Sequence, residues 1–497
     1  MSQWGARGYA LHGWGWRRIL AHYYPGTQVG ATGNENVRVL LAASQPSIDV
    51  GCAKGMRVGD ATGRTWKLRL RSYRLTAAMR FPRHTLQSPV AVYCDGAPVE
   101  FDGSAYHGVL VVYRGGGRLA VVNAVDLEDY VRGVVGGEMP FRWPLPALEA
   151  QAVAARSYAL ATRKVAAPYD LYADTRSQMY LGVSHETPAT TAAVDATRGQ
   201  VVMFGGKVAT TYFYSSSGGE TESISDAWGV PSVPYLVAVP DPFDVLSPYH
   251  DWGPLPVSAK TFGKALKITV PILDLQTTLN PSGRVGRVVL VTAPSLRTTS
   301  ATSAPGSLGA GTVSGALGLR STWFSIAMLA LQQPAPAAPI PYGSTITLTG
   351  TIRGVDGVSL EQREAGGTWH LVGPVAPATD GTVVLPESPA LTTDYRLATP
   401  YTAVGYVRVR VMPVVDIAAP TPGQVAGTET PALPGAAVDV QTENPDLTWT
   451  TVATGTVADD GSFIVPVTLP ADVTYRVVVT PAAGYAPGAT APQVAPS

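Results

Sequence analysis

The chain has 497 residues and carries 36 Lys+Arg against 36 Asp+Glu, so its formal charge is zero and neither nucleic acid nor another polyanion is implied as a partner. Charged residues make up only 14%, while 52 Gly and 42 Pro favour strands, turns and linkers over long charged helices. Its apolar runs are too short to span a bilayer, and its length calls for several domains, each with its own core.

Two short motifs open the chain, Met1-Ser2-Gln3-Trp4-Gly5-Ala6 and Tyr23-Tyr24-Pro25-Gly26-Thr27. Short apolar or alternating runs then read as strands: 37–41, 68–71, 90–93, 109–113 and 119–122. Gly115-Gly116-Gly117 reads as the hairpin turn between the last two. Cys52 and Cys94, the only cysteines, lie in this β region. In a reducing compartment they read as two small buried hydrophobes, and in an exported protein as one disulfide. Neither CxxC spacing nor a histidine cluster accompanies them, which argues against a metal site.

Gly133-Val134-Val135-Gly136-Gly137-Glu138-Met139-Pro140 sets one carboxylate in an apolar, glycine-rich stretch, read as a flexible loop ahead of a long helix. Desolvation disfavours a carboxylate and raises its pKa, which makes Glu138 a usable general acid. The plainer alternative is an acid favoured at the N-terminus of the next helix. That helix, 147–160, is alanine-rich, so other elements can approach closely. Its polar residues Gln151, Arg156 and Tyr158 either bond into the core or line a groove beside Glu138.

Leu127-Glu128-Asp129-Tyr130-Val131-Arg132-Gly133, then Glu138-Met139-Pro140, then Gln151-Ala152-Val153-Ala154-Ala155-Arg156-Ser157-Tyr158 resembles the SpoIID/LytB domain family. Tyr214-Ser215-Ser216-Ser217-Gly218-Gly219 resembles its serine/glycine motif, and Gly315-Ala316-Leu317-Gly318-Leu319-Arg320 its closing segment. The opening MSQWGA and YYPGT motifs resemble a family segment that usually ends the domain. Here it leads, in a permuted position, without its Gly-His-Gly half. This order implies residues upstream of Met1, a secretory signal among them, and an extracellular or cell-wall location.

The resemblance implies a peptidoglycan-acting protein. Lytic transglycosylases of the family cleave glycan strands with one acid, here Glu138, and leave a 1,6-anhydro product. The implied substrate contacts are Gln3, Trp4, Gln151, Arg156, Tyr158, Gln178, Ser215 and Ser216. The competing reading, also implied by the family, is a non-catalytic glycan binder that enhances a cell-wall amidase. Some relatives bind zinc through two cysteines after the long helix. Tyr172 and Ser177 stand there instead, so no metal is expected, and no cofactor. A serine hydrolase is rejected because Ser215-Ser216-Ser217 lacks a nucleophile-elbow pattern.

The Pro/Ala stretch 326–340 reads as a linker. Beyond it, Trp369, Asp380-Gly381 and Tyr395-Arg396 repeat as Trp449, Asp460-Gly461 and Tyr475-Arg476 at the same spacings. Two Ig-like β-sandwiches are expected, 341–412 and 413–490, each with its tryptophan in the core. The expected organisation is therefore a permuted segment at 1–33 and a SpoIID/LytB domain at 34–325 with its core at 105–230. That domain is α+β, mostly antiparallel sheet around a buried Ala-rich helix, and the linker and sandwiches follow it.

Overall fold

The computed structural model describes residues 1–68, 72–81, 84–270, 272–292, 307–332, 338–364, 366–419 and 421–496. The expected strand 68–71 and the expected linker therefore fall partly outside the described residues, at 69–71 and 333–337. The chain divides into two compact units, Met1–Pro254 with Leu279–Gly286, and Leu255–Thr278 with Arg287–Ser497. Leu255–Thr278, inside the expected domain 34–325, belongs to the second unit. Helices Ala259–Leu266 and Ala310–Leu317 pack on each other, which holds those segments in the second unit.

The first unit is mostly β with five longer helices: α1 Gln3–Leu11, α2 Trp16–Tyr23, α3 Leu127–Glu138, α4 Leu145–Thr162 and α5 Pro188–Ala196. Its largest sheet runs in the order Leu171–Tyr172, Asn36–Gln45, Arg118–Asp126, Val109–Gly115, Val90–Cys94, Met56–Gly59 and Thr65–Leu68. All neighbours are antiparallel except the first pair. Gly116 and Gly117 both take positive φ at the hairpin between Val109–Gly115 and Arg118–Asp126, which suits a two-residue turn that follows the strand twist. A four-stranded sheet holds Ser47–Cys52, and the disulfide Cys52–Cys94 ties it to the larger sheet, with Cα atoms 5.5 Å apart.

Helix α4 is the centre of this unit. It touches α1, α2, α3, α5 and the strand Gln200–Phe204. An alanine surface allows several elements to close on one helix, and eleven of its residues from Ala147 to Ala159 are buried. Asp126 caps α3, accepting from the Glu128 amide at 2.9 Å, and Glu128 and Asp129 sit in the first turn where a helix favours acids. No helix among the described residues is long and apolar enough to cross a membrane.

The second unit is largely β. Met328–Gln332, read as linker, is a strand that pairs with Ile346–Arg353, because its residues are apolar and the prolines begin only at 334. Each repeat joins a three-stranded antiparallel sheet to a larger one, and each has its own core. The first is built around Leu348, Ile352, Leu360 and Tyr395, the second around Val438, Val440, Phe463 and Tyr475.

The repeat tryptophans are not core residues. Tyr395 and Tyr475 point inward, so the next residue of each strand must point out. Arg396 lies 4.0 Å over the half-exposed Trp369 ring, and Arg476 lies 4.2 Å over Trp449. The repeated Tyr-Arg pair therefore serves both faces of its sheet.

One buried carboxylate in the second repeat sets a pH dependence. Glu429 is 3% exposed, and burial pushes its carboxyl up to about 7, against a smaller pull from the Leu433 backbone. The folded state holds its proton more tightly than the unfolded chain, whose value is 4.5. Stability is then greatest below 4.5 and is lost as pH rises through about 7. Glu429→Gln is expected to raise the melting temperature of this unit by about 3 °C or more at pH 8 and to change little at pH 4, as calorimetry would show.

Candidate active site

Glu138 is not in a loop and does not cap the helix that follows it. It is the last residue of α3. The glycines read as flexibility are there for close approach instead. A Cβ on Gly137 would lie 2.6 Å from the Met179 carbonyl oxygen, one on Gly133 would lie 2.7 Å from the Tyr180 ring, and one on Gly136 would collide with the His185 carbonyl. Segment 179–185 can therefore lie directly on α3.

That contact brings the Met179 N–H to Glu138 Oε1 at 2.8 Å, while Gln3 Nε2 of α1 donates to Oε2 at 3.2 Å. Both partners are neutral. Burial pushes the Glu138 carboxyl above its ordinary value, and the two donors offset only part of that. Its place at the C-terminal, negative end of α3 acts in the same direction as burial.

The loop before Met179 is fixed from several sides. Gln178 Nε2 donates to the Tyr130 hydroxyl at 3.0 Å and to the Ala155 carbonyl of α4 at 3.3 Å. The Tyr180 hydroxyl donates to Asn123 at 2.7 Å. Tyr130 is fully buried, and burial raises its pKa with Glu138 among the minor contributors. Ser177, at one of the lost cysteine positions, accepts from the Tyr172 amide at 3.1 Å. Among the described residues no cluster of three His, Cys, Asp or Glu could hold a metal.

Gln151 and Tyr158 leave α4 about one turn on either side of Ala155. Gln151 is fully buried, and neither amide atom has a partner among the described residues. Tyr158 is half-buried and meets Tyr212 edge-on at 5.8 Å, and Tyr212 meets Trp228 at 4.7 Å.

Arg156 takes the first of its two expected places, in the core. It is fully buried, donates to both oxygens of Glu128 at 2.9 and 2.7 Å, and reaches the Gln200 carbonyl at 2.9 Å. Glu128 lies at the opposite end of α3 from Glu138, so Arg156 is bound into the core rather than facing the groove.

The amino-terminal segment is held beside Glu138 by the serine/glycine loop. The Gln3 and Trp4 amides donate to the carbonyls of Tyr214 and Ser215 at 2.9 and 3.0 Å. Ser2 caps α1, accepting from the Gly5 amide, and donates to Asp244 at 3.0 Å. Asp244 also accepts from the Ser216 hydroxyl at 2.7 Å, the Ser217 and Gly218 amides at 2.9 and 2.8 Å, and pairs with His250 at 3.1 Å. Burial works to raise the Asp244 carboxyl, yet these donors together hold it below its usual range. Asp241 takes the hydroxyls of Tyr23 and Ser217, both at 2.7 Å, and burial raises its carboxyl against them. Gly5 and Gly8 face these residues: a Cβ on either would collide, with Asp241 or Phe243.

Ser216 is therefore committed to Asp244, whereas Ser215 is exposed. Trp4 is half-buried and meets Trp143 at a centroid distance of 4.8 Å. Tyr130, Trp143, Asp241, Asp244 and the Met179 amide were not singled out from sequence. Asp241 and Asp244 follow the recognised motif by more than twenty residues, so no local signal joins them to it.

Residues 115–204 match the family model described as Stage II sporulation protein. The chain is 38% identical over 159 residues to an uncharacterized protein of Brachyspira hyodysenteriae, covering 30% of this chain and 43% of that one. It is 37% identical over 142 residues to the amidase enhancer of Bacillus subtilis, covering 28% and 19%, and 35% identical over 146 residues to stage II sporulation protein D of the same organism, covering 26% and 42%. It thus spans less than half the length of these curated relatives. A solved biofilm-associated protein BSP domain aligns at a TM-score of 0.15 with 17% identity, covering 34% of this chain and 30% of that chain. The region that contains Glu138 is thus similar to the SpoIID/LytB family.

Proposed function

We propose that the protein is an exported, cell-wall-acting lytic transglycosylase in which Glu138 is the single acid and base. The observation that carries this reading is the environment of Glu138: a desolvated carboxyl at a helix C-terminus, hydrogen-bonded among the described residues by neutral donors and held above its ordinary pKa. Protonated Glu138 gives its proton to the glycosidic oxygen as the C1–O bond breaks and an oxocarbenium-like centre forms at C1. The carboxylate left behind removes the proton of the C6 hydroxyl, whose oxygen closes on C1. The product is a 1,6-anhydro sugar, and the proton returns to Glu138. No water is activated, so a second carboxylate is unnecessary.

Gln3, Trp4, Tyr158 and Ser215 are the proposed sugar contacts, Gln178 and Ser216 position their neighbours, and Gln151, fully buried in α4, does not reach a sugar. The two β repeats, proposed as Ig-like sandwiches at 341–412 and 413–490, serve as spacers or wall-adhesion modules. The test is mass spectrometry of wall glycan, intact and peptide-stripped, digested by the full chain: 1,6-anhydro ends are expected, and their absence from both substrates would overturn the reading.

A second reading, a glycan-gripping enhancer of a cell-wall amidase, is favoured by the 37% identity to the amidase enhancer. It predicts faster release of stem peptides by an added amidase and no anhydro ends.

The mechanism also gives the glycines of α3 a measurable role. Gly137→Ala puts a methyl group 2.6 Å from the Met179 carbonyl, so the segment whose N–H reaches Glu138 must move. Cleavage is expected to fall by about tenfold with the circular dichroism spectrum unchanged, since small misplacements near a reacting group are costly.

A further inference from the structure

We infer that Trp4, Trp143 and Arg7 form an aromatic subsite that stacks against one pyranose ring of the glycan beside the bond Glu138 acts on. This rests on the proposed glycan-cleaving role of Glu138 and adds to it where the neighbouring sugar lies. Gln3 and Arg7 are one turn apart on the same face of α1, and Trp4 is three residues from Arg7. The face that delivers Gln3 to Glu138 therefore also carries the platform. The other half comes from the chain just past the acid. A turn closed by the Trp143 amide on the Pro140 carbonyl, at 3.0 Å, brings Trp143 back against Trp4.

The two indoles meet at 4.8 Å with a 60° tilt, and the Arg7 guanidinium lies 5.0 Å from one ring centroid and 5.6 Å from the other. Both rings are half-buried, and Phe141, two residues before Trp143, is 47% exposed. Arg7 has no carboxylate partner among the described residues. A sugar ring offers an apolar face of C–H groups and an equatorial rim of hydroxyls and N-acetyl groups. Half-exposed indoles match the face, and a guanidinium spread over aromatic rings keeps N–H groups free for the rim. The ligand class is a β-1,4-linked N-acetylhexosamine strand.

The test uses the full chain carrying Glu138→Gln, so that no turnover intrudes, and chitotetraose as the probe. Titration calorimetry should show binding that Trp143→Ala weakens by roughly tenfold or more and Trp143→Tyr largely preserves. Because Trp143 also packs on the core, the same titration is followed by NMR in the chain with Trp143 intact. The indole N–H signal that disappears in Trp143→Phe should shift on adding chitotetraose. An unmoved signal, a Trp143→Ala chain that binds as tightly as its parent, or a parent that does not bind at all would each overturn the subsite. Binding with a moving Trp143 signal, from a protein that makes no anhydro ends, would leave the subsite standing and count against the chemistry of Glu138.

Discussion

Glu138→Gln is expected to lower glycan-strand cleavage by roughly 100-fold or more, the usual worth of a general acid, while leaving binding of the strand nearly unchanged. The amide keeps the shape of the protonated acid and can still meet Met179 and Gln3, so the site is not remodelled. What is lost is the proton that leaves with the glycosidic oxygen. The parent protein should also show an alkaline limb in its rate profile, because the acid must be protonated to act and burial raises its pKa. Activity should then persist to higher pH than an ordinary carboxyl allows and fall as pH rises past that point. Release of anhydro ends, followed by mass spectrometry across pH, checks both expectations. A Glu138→Gln protein that cleaves at the parental rate would remove Glu138 from the chemistry.

Arg156→Met is expected to destabilise the first unit by about 3–5 kcal/mol, because it strands a buried carboxylate. Glu128 takes two hydrogen bonds from Arg156 and a third from the Gly199 amide at 3.1 Å, so its charge is satisfied only while the guanidinium is present. The double substitution Glu128→Gln with Arg156→Met should recover much of that loss, since it removes both charges together. Urea melts of the single and double variants measure the difference. A single variant that melts like the parent but no longer binds chitotetraose would return Arg156 to the groove.

The sequence and the folded chain agree most closely where the signal is local. The Gly115-Gly116-Gly117 turn, the alanine helix and the repeated Tyr-Arg pairs follow from residues near one another. Glu138 stands out because its neighbours are apolar. Its surroundings were not legible in the same way. Glycine is the default residue for a flexible loop, and only the approach of Met179 and His185 shows that Gly136 and Gly137 are helical contacts. For Arg156 the residues alone leave core and groove open, and only the family resemblance implies the groove. The partner, Glu128, lies 28 positions earlier, where spacing says nothing. The repeat tryptophans differ from expectation for a similar reason: strand alternation assigns a face only after the inward tyrosine is known.

Ser2 and Asp244, which set α1 against the acid, are 242 positions apart. A ribosome adding about 5–20 residues each second therefore makes the second partner roughly 12 to 48 seconds after the first. Glu138 is already synthesised in that interval, while one of the contacts that hold α1 beside it is still missing. A chain released before Asp244 therefore carries the acid with the helix that brings Gln3 less firmly held.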